Sequence, residues 1–162
     1  MFREMRRKKQ LLTEEKTVDI LKSCTSGVLG VIGDDGYPYT VPVSYTYNDG
    51  KIYVHSAKQG HKIDSIIKDD KVTFSVIEKD DVIQETFTTH FRSVSIFGRA
   101  RILTEDSDRR QALESLVEKY SPEFIKEGQL EITKEWNRVC LIEIKIEHMT
   151  GKEAIELVNK NK

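Results

Sequence analysis

Two kinds of residue alternate without a break from Tyr37 to Tyr47: odd positions are Tyr or Val, and even positions are Pro, Thr or Ser. Period two over such a stretch predicts a strand with one face on a core. The apolar run at 27–32 is short and rich in Val, Leu and Ile, and reads as a strand buried on both faces. Asp35-Gly36 and Asp49-Gly50 separate these runs, and Asp-Gly favours the primed turns of two-residue hairpins. Strands are therefore predicted at 26–34, 37–48 and 51–56. Ahead of them Thr13 is a natural N-cap, Glu14 and Glu15 suit the first turn, and Val18, Ile20 and Leu21 supply a stripe, giving a helix over 13–24. A helix at 60–68 carries Ile63, Ile66 and Ile67 on one side, and strands follow at 71–77 and 93–103. The stretch 79–91 is polar and shows no period. Asp106 opens a helix that ends near Tyr120, segment 121–135 reads as irregular with one helical turn near Pro122, and a last strand covers 138–147. The tail suits a short amphipathic helix on Ala154, Ile155, Leu157 and Val158. Strands joined by tight turns, with few helices, predict a mainly β fold: a closed or nearly closed antiparallel barrel with helices packed at its openings. One domain is expected over 1–162, with an N-terminal arm at 1–12 and a C-terminal tail at 151–162.

Two prolines make the second strand more informative. If both Asp-Gly pairs are two-residue loops, Asp34 faces Tyr37 and Asn48 faces Lys51. Odd residues of the second strand then bond to the first, and even residues point toward the third. Pro38 and Pro42 are both even, and proline brings no N–H to a ladder. The third strand should peel away near Ser44, opposite His55, leaving the backbone around Thr40 open to another partner. Thr40, Ser44 and His55 then share a face, with Pro42 between them. The following loop, Ser56-Ala57-Lys58-Gln59-Gly60-His61-Lys62, offers a hydroxyl, ammonium groups and a helix start. Those are the parts of a phosphate site. A flat ligand would lie along 40–43 with its phosphate in the 56–62 loop.

Charge narrows the choice. The chain has 162 residues and a formal net charge of −1, so it lacks the basic excess that binding to nucleic-acid phosphates demands. The basic run between Arg3 and Lys9 reads as a solvated arm. No stretch is apolar enough to span a bilayer and no apolar core follows the N-terminal charges, which predicts a cytoplasmic protein. Cys24 and Cys140 form no metal pattern and read as buried thiols; His61, His90 and His148 read as surface histidines.

Several of these residues together resemble the nitroimidazole-resistance (Nim) family of pyridoxamine 5'-phosphate oxidase-like flavoproteins. The resemblance lies in Gly36-Tyr37-Pro38-Tyr39-Thr40-Val41-Pro42-Val43, in the run from Asp49 to Ala57, and in Gly60-His61-Lys62. It continues through Arg92-Ser93-Val94, Phe97-Gly98-Arg99-Ala100-Arg101, Arg138-Val139 and Thr150-Gly151-Lys152, and Met5-Arg6-Arg7-Lys8 is similar to the family's start. It departs at Lys9, where the family often has an acidic residue, and at 78–91, which lacks a cysteine expected in many relatives. The resemblance implies an FMN-binding split barrel with the flavin at the interface of a homodimer. Carried over, Thr40, Val41, Pro42 and Val43 line the flavin edge, and His55, Ser56 and Lys62 lie near its phosphate or ring. Ser93 and Val94 contribute, from the second subunit on one reading, and Trp136 closes over the site. The implied activity is an FMN-dependent oxidoreductase taking electrons from a small donor to a small-molecule substrate, such as a 5-nitroimidazole, with His55 as the catalytic proton donor. Other readings are a flavin- or haem-binding carrier or sensor without turnover, a pyridoxamine 5'-phosphate oxidase-like enzyme, and an oligonucleotide-binding barrel. Charge disfavours the last, as does the inward phase of the strand tyrosines, which reads as core with Val28, Ile32 and Val54.

Overall fold

The structure, a computed structural model, describes residues 1–160. Its first helix starts where the capping signal predicts: α1 spans Glu14–Ser23, and the Lys16 N–H donates to Thr13 Oγ1 at 3.3 Å. The helix buries Thr17, Ile20 and Leu21. Seven antiparallel strands form one curved sheet in the order β2-β1-β5-β6-β7-β4-β3. They are β1 (Ser26–Ile32), β2 (Pro38–Ser44), β3 (Thr46–Asn48), β4 (Lys51–Ala57), β5 (Lys71–Ile83), β6 (Thr88–Ile102) and β7 (Val139–Glu153). Helices α2 (His61–Lys68), α3 (Asp106–Tyr120), α4 (Ile125–Glu135) and α5 (Ile155–Lys160) complete the described chain. The result is an antiparallel barrel with flanking helices, as the strand pattern predicts, and it is the split barrel that the resemblance implies. Its interior is filled by side chains such as Leu29, Tyr45, Val54, Phe74, Ile96 and Ile142, all 1 % exposed or less. A second cluster, with Tyr53, Ala112, Leu116 and Leu141, lies outside the barrel where α3 covers β4 and β7.

The first hairpin corrects the predicted register. Gly33, not Asp34, faces Tyr37, with the Gly33 N–H donating to the Tyr37 carbonyl at 2.7 Å, so the loop has three residues, Asp34, Asp35 and Gly36. The extra loop residue shifts the pairing by one, and a shift of one moves every side chain to the other face. Tyr39, Val41 and Val43 do turn inward, but their partners are Val31, Leu29 and Gly27. Val28 and Ile32 face outward instead of joining the core, and Ile32 is 45 % exposed. The strand at 27–32 is therefore buried on one face.

Other differences have local causes. The predicted strand 37–48 breaks at Tyr45, because the Tyr120 hydroxyl from α3 accepts from the Tyr45 N–H (2.9 Å) and lies 2.8 Å from the Tyr45 carbonyl. Segment 79–91 is the end of a long β5–β6 hairpin turning at Gln84–Thr86, and its alternation is hidden because both faces meet water. The turn expected near Pro122 is present at Pro122–Phe124, but Ile125–Glu135 forms α4 rather than an irregular loop. The last strand runs on to Glu153, past Gly151 where the tail was expected to begin. At the N-terminus, Gln10 and Leu12 are buried, and the Leu12 N–H donates to the Gly151 carbonyl at 3.0 Å.

Candidate functional site

The sheet closes incompletely, and the gap follows from the prolines. The Gly33–Tyr37 bond makes the odd residues of β2 the ones that bond to β1, so its even residues direct their backbone groups away from the sheet. β2 is an edge strand throughout. On the far side of the gap, β3 pairs with β4 only from Asn48–Lys51 to Thr46–Tyr53. Residues 54–57 of β4 thus have β7 on one side and no strand on the other. A cleft runs between these two free edges.

Thr40, Pro42, Ser44 and His55 are exposed on the outward face along this cleft, as the alternation predicts. Gly30, opposite Thr40, flattens the outward face beside it: a Cβ there would meet Thr73 Oγ1 at 2.5 Å. Val41 and Val43 point inward and pack against the core, so they can offer backbone but not side chain to the cleft. His55 also borders a cavity beneath α3 and α4.

Ser56 points the opposite way from His55. It is buried, faces Cys140 across the β4–β7 ladder, and its Oγ has no hydrogen-bond partner. Buried hydroxyls are seldom left so, and a partner is expected. Three cations act on Cys140 across that ladder. Burial pushes the Cys140 thiol above its ordinary value, and the charges of Arg109, Lys58 and Lys62 oppose that rise. Lys62 sits in the first turn of α2, half-buried, beyond Gly60, whose φ of 128° only glycine adopts readily. The set of an unpartnered buried hydroxyl and three nearby cations suits a phosphate.

Arg109 carries no signal in the sequence; it looks like one of many charged residues on an exposed helix. In the fold its guanidinium stacks 4.2 Å from the Trp136 ring centroid and donates to the Trp136 carbonyl at 2.7 Å. Trp136, at the end of α4, borders a shallow cavity of its own with Asp106, Ser107 and Arg110 rather than the His55 cavity. His61 is not a free surface residue. Its ring stacks on Tyr39 at 4.2 Å and its Nε2 accepts from the Asp34 N–H at 3.4 Å, tying α2 to the first hairpin. His148 likewise stacks on Phe2, with centroids 4.9 Å apart. Ser93 and Val94 lie on β6, separated from β2 by β1 and β5, and the Val94 side chain is in the core. Within one chain they do not meet the other expected residues. Among the described residues no cluster could hold a metal ion, and no helix is long and apolar enough to cross a membrane.

Residues 13–153 match the family model described as pyridoxamine 5'-phosphate oxidase. The chain belongs to this family. Pyridoxamine 5'-phosphate oxidase-like proteins bind flavins, and solved structures with this fold include several flavin binders. A conserved hypothetical protein from Mycobacterium tuberculosis superposes with a TM-score of 0.80 at 22% identity, over 93% of this chain and 90% of that one. The FAD and heme binding protein from Mycobacterium smegmatis gives 0.74 at 17% identity, over 95% and 80%. A candidate 5-nitroimidazole antibiotic resistance protein from Bacteroides thetaiotaomicron gives 0.70 at 18% identity, over 88% and 86%. At these identities the likeness carries the fold. No curated protein matches the chain.

Proposed function

We propose that the protein binds FMN along the cleft between β2 and β4, as a homodimer, and works as an FMN-dependent oxidoreductase on a small molecule. The observation that carries this reading is the Ser56 hydroxyl, buried without a partner across the ladder from Cys140, whose thiol feels the charges of Arg109, Lys58 and Lys62. A flavin phosphate would accept from it and from the three cations. The ring would then lie over the flat outward face at Gly30 and Thr40, with its polar edge toward the free backbone of residues 40–43. The bound flavin would supply two-electron transfer, and the protein binding, orientation and exclusion of water. His55, outward at the cleft, would give a proton from its ring N–H to a substrate on the flavin, acting as a general acid.

The outward sheet face supports the homodimer. Ile32, Ile77 and Phe97 are 45 %, 67 % and 43 % exposed on that face, separate apolar side chains that a second copy would cover. A second copy would also bring Ser93, which lies on β6 away from the cleft of its own chain, to the flavin. The resemblance to the Nim family favours a nitro compound, such as a 5-nitroimidazole, as substrate. The choice between an oxidoreductase and a carrier without turnover rests on whether the flavin-loaded protein oxidises NADH or NADPH faster than free FMN.

Binding is tested by titrating FMN and following its visible spectrum, with the oligomeric mass measured on the same sample. Ser56→Ala should weaken FMN binding about 5–10-fold and leave stability unchanged, because the free hydroxyl has no bond to lose. Lys62→Ala should weaken it by at least as much. Wild-type protein that never retains flavin would end this reading.

A further inference from the structure

The outward face of β4 meets a second feature that flavin binding does not use. Between β4 and the α3–α4 pair lies a cavity of about 410 Å³, within the size range of small-ligand sites. We propose that this cavity is the binding subsite for an uncharged, largely apolar aromatic substrate, held with a hydrogen-bond acceptor toward His55. The proposal rests on the reading of the β2–β4 cleft as the flavin site.

Three observations carry it. The walls are apolar, built by Leu113, Leu116 and Val117 of α3, Ile132 of α4 and Val139 of β7. The polar groups on the barrel side are Ser44 and His55, which also border the cleft, so a molecule in the cavity touches the space where the flavin would lie. The lining also offers an anion nothing to bind. Its two carboxylates, Glu131 and Glu135, are paired with Lys134 at 3.3 Å and Arg138 at 3.6 Å, and among the described residues no lysine or arginine lines the cavity. A charged substrate would lose its water there without a direct counter-ion, which favours a neutral one. Gly128 of α4, which lines the cavity, meets Val117 so closely that a Cβ there would overlap the valine methyls, and Gln129 bonds to Arg110 and Glu114 of α3, so the two helices are held together beside the cavity.

The test uses N-phenyl-1-naphthylamine, a neutral aromatic whose fluorescence rises in apolar surroundings, on the full chain with and without FMN. Wild-type protein should bind it saturably at one site per chain, and neutral nitrobenzene should displace it while benzoate does not. Leu113→Trp and Val117→Trp fill the cavity from different positions on α3. Each should weaken the probe at least about tenfold while the FMN titration is unchanged, and either variant serves if the other fails to fold. His55→Ala should keep the probe but weaken displacement by nitrobenzene about 5–10-fold. No saturable signal in wild type, or an equal signal in both tryptophan variants, overturns the proposal. Probe binding with these variant effects in protein that never takes up FMN supports the cavity and removes the flavin reading alone.

Discussion

Asp35-Gly36 and Asp49-Gly50 put the same two residues into the same left-handed backbone, with φ of 55° and 78° in the first pair and 44° and 73° in the second. The first pair belongs to a three-residue loop and the second to a two-residue loop that pairs Asn48 with Lys51. What surrounds them differs more. The Gly50 carbonyl accepts from the Ile146 N–H at 3.0 Å, its N–H donates to the Tyr47 hydroxyl, and Lys51 reaches the buried carboxylate of Glu143 at 3.0 Å. The first loop is held by contacts at the surface: Lys68 to Asp34 at 3.0 Å, both largely exposed, and the long bond to His61. The dipeptide sets a local conformation; the neighbours decide how many residues turn and how firmly. The turn beside the cleft is the lightly held one, and the turn packed onto β7 is part of the barrel's frame.

Deleting Asp49 should produce the largest effect. One residue cannot bridge Asn48 and Lys51, so the hairpin would lose its register and its bond to Ile146. The expected loss is more than about 3 kcal/mol, read from the midpoint of urea unfolding, with disruption rather than repair of the β3–β4 ladder. Equal stability in the deletion would show that the frame does not depend on this turn.

The next effect comes from Glu143, which accepts from Lys51 and from Arg101 (2.7 Å) while its side chain is 5 % exposed. Burial acts to raise its pKa, but the hydrogen bonds from Arg101 and Lys51 outweigh it and hold the carboxyl below its ordinary value. A lowered folded-state pKa means that the stabilisation is complete above the unfolded value near about 4.3 and is lost as pH falls through the folded value. Glu143→Gln should cost about 1–2 kcal/mol at neutral pH, a figure kept small because both cations reach water. It should also flatten the loss of stability below about pH 4. A variant as acid-sensitive as wild type would assign that sensitivity to other carboxylates.

The same contrast explains what was legible beforehand. The capped helix α1, helix α3 and the second hairpin follow from local chemistry and were readable to within a residue or so. The outward line of Thr40, Ser44 and His55 was readable too, because strand parity survives an error in loop length. The partners on β1 were not, since the choice between two and three loop residues depends on His61 and Lys68 from a later helix. Helix α4 was hidden because it buries Ile132 while Leu130 stays 72 % exposed and Ile125 40 %, which breaks the apolar stripe. Arg109 and the α3–α4 cavity depend on contacts between distant segments. Ser93 and Val94 were reached by resemblance alone, and a single chain keeps them apart from the cleft.

The smallest expected effect is the sharpest test of the comparison. Deleting Asp35 leaves Asp34-Gly36 as a two-residue Asp-Gly loop between Gly33 and Tyr37, which already form a hydrogen-bonded pair. That pair can flank a primed turn without any shift in register. Tyr39, Val41 and Val43 would keep their inward phase, and Thr40 and Pro42 their place on the cleft. Stability should change by less than about 1 kcal/mol, because a loop shortened by one residue gains or loses little closure entropy. FMN affinity should stay within about fivefold of wild type, the factor that corresponds to about 1 kcal/mol. If the deletion instead costs as much as the loss of Asp49, the three-residue loop is a fixed part of the barrel and the two turns are held alike.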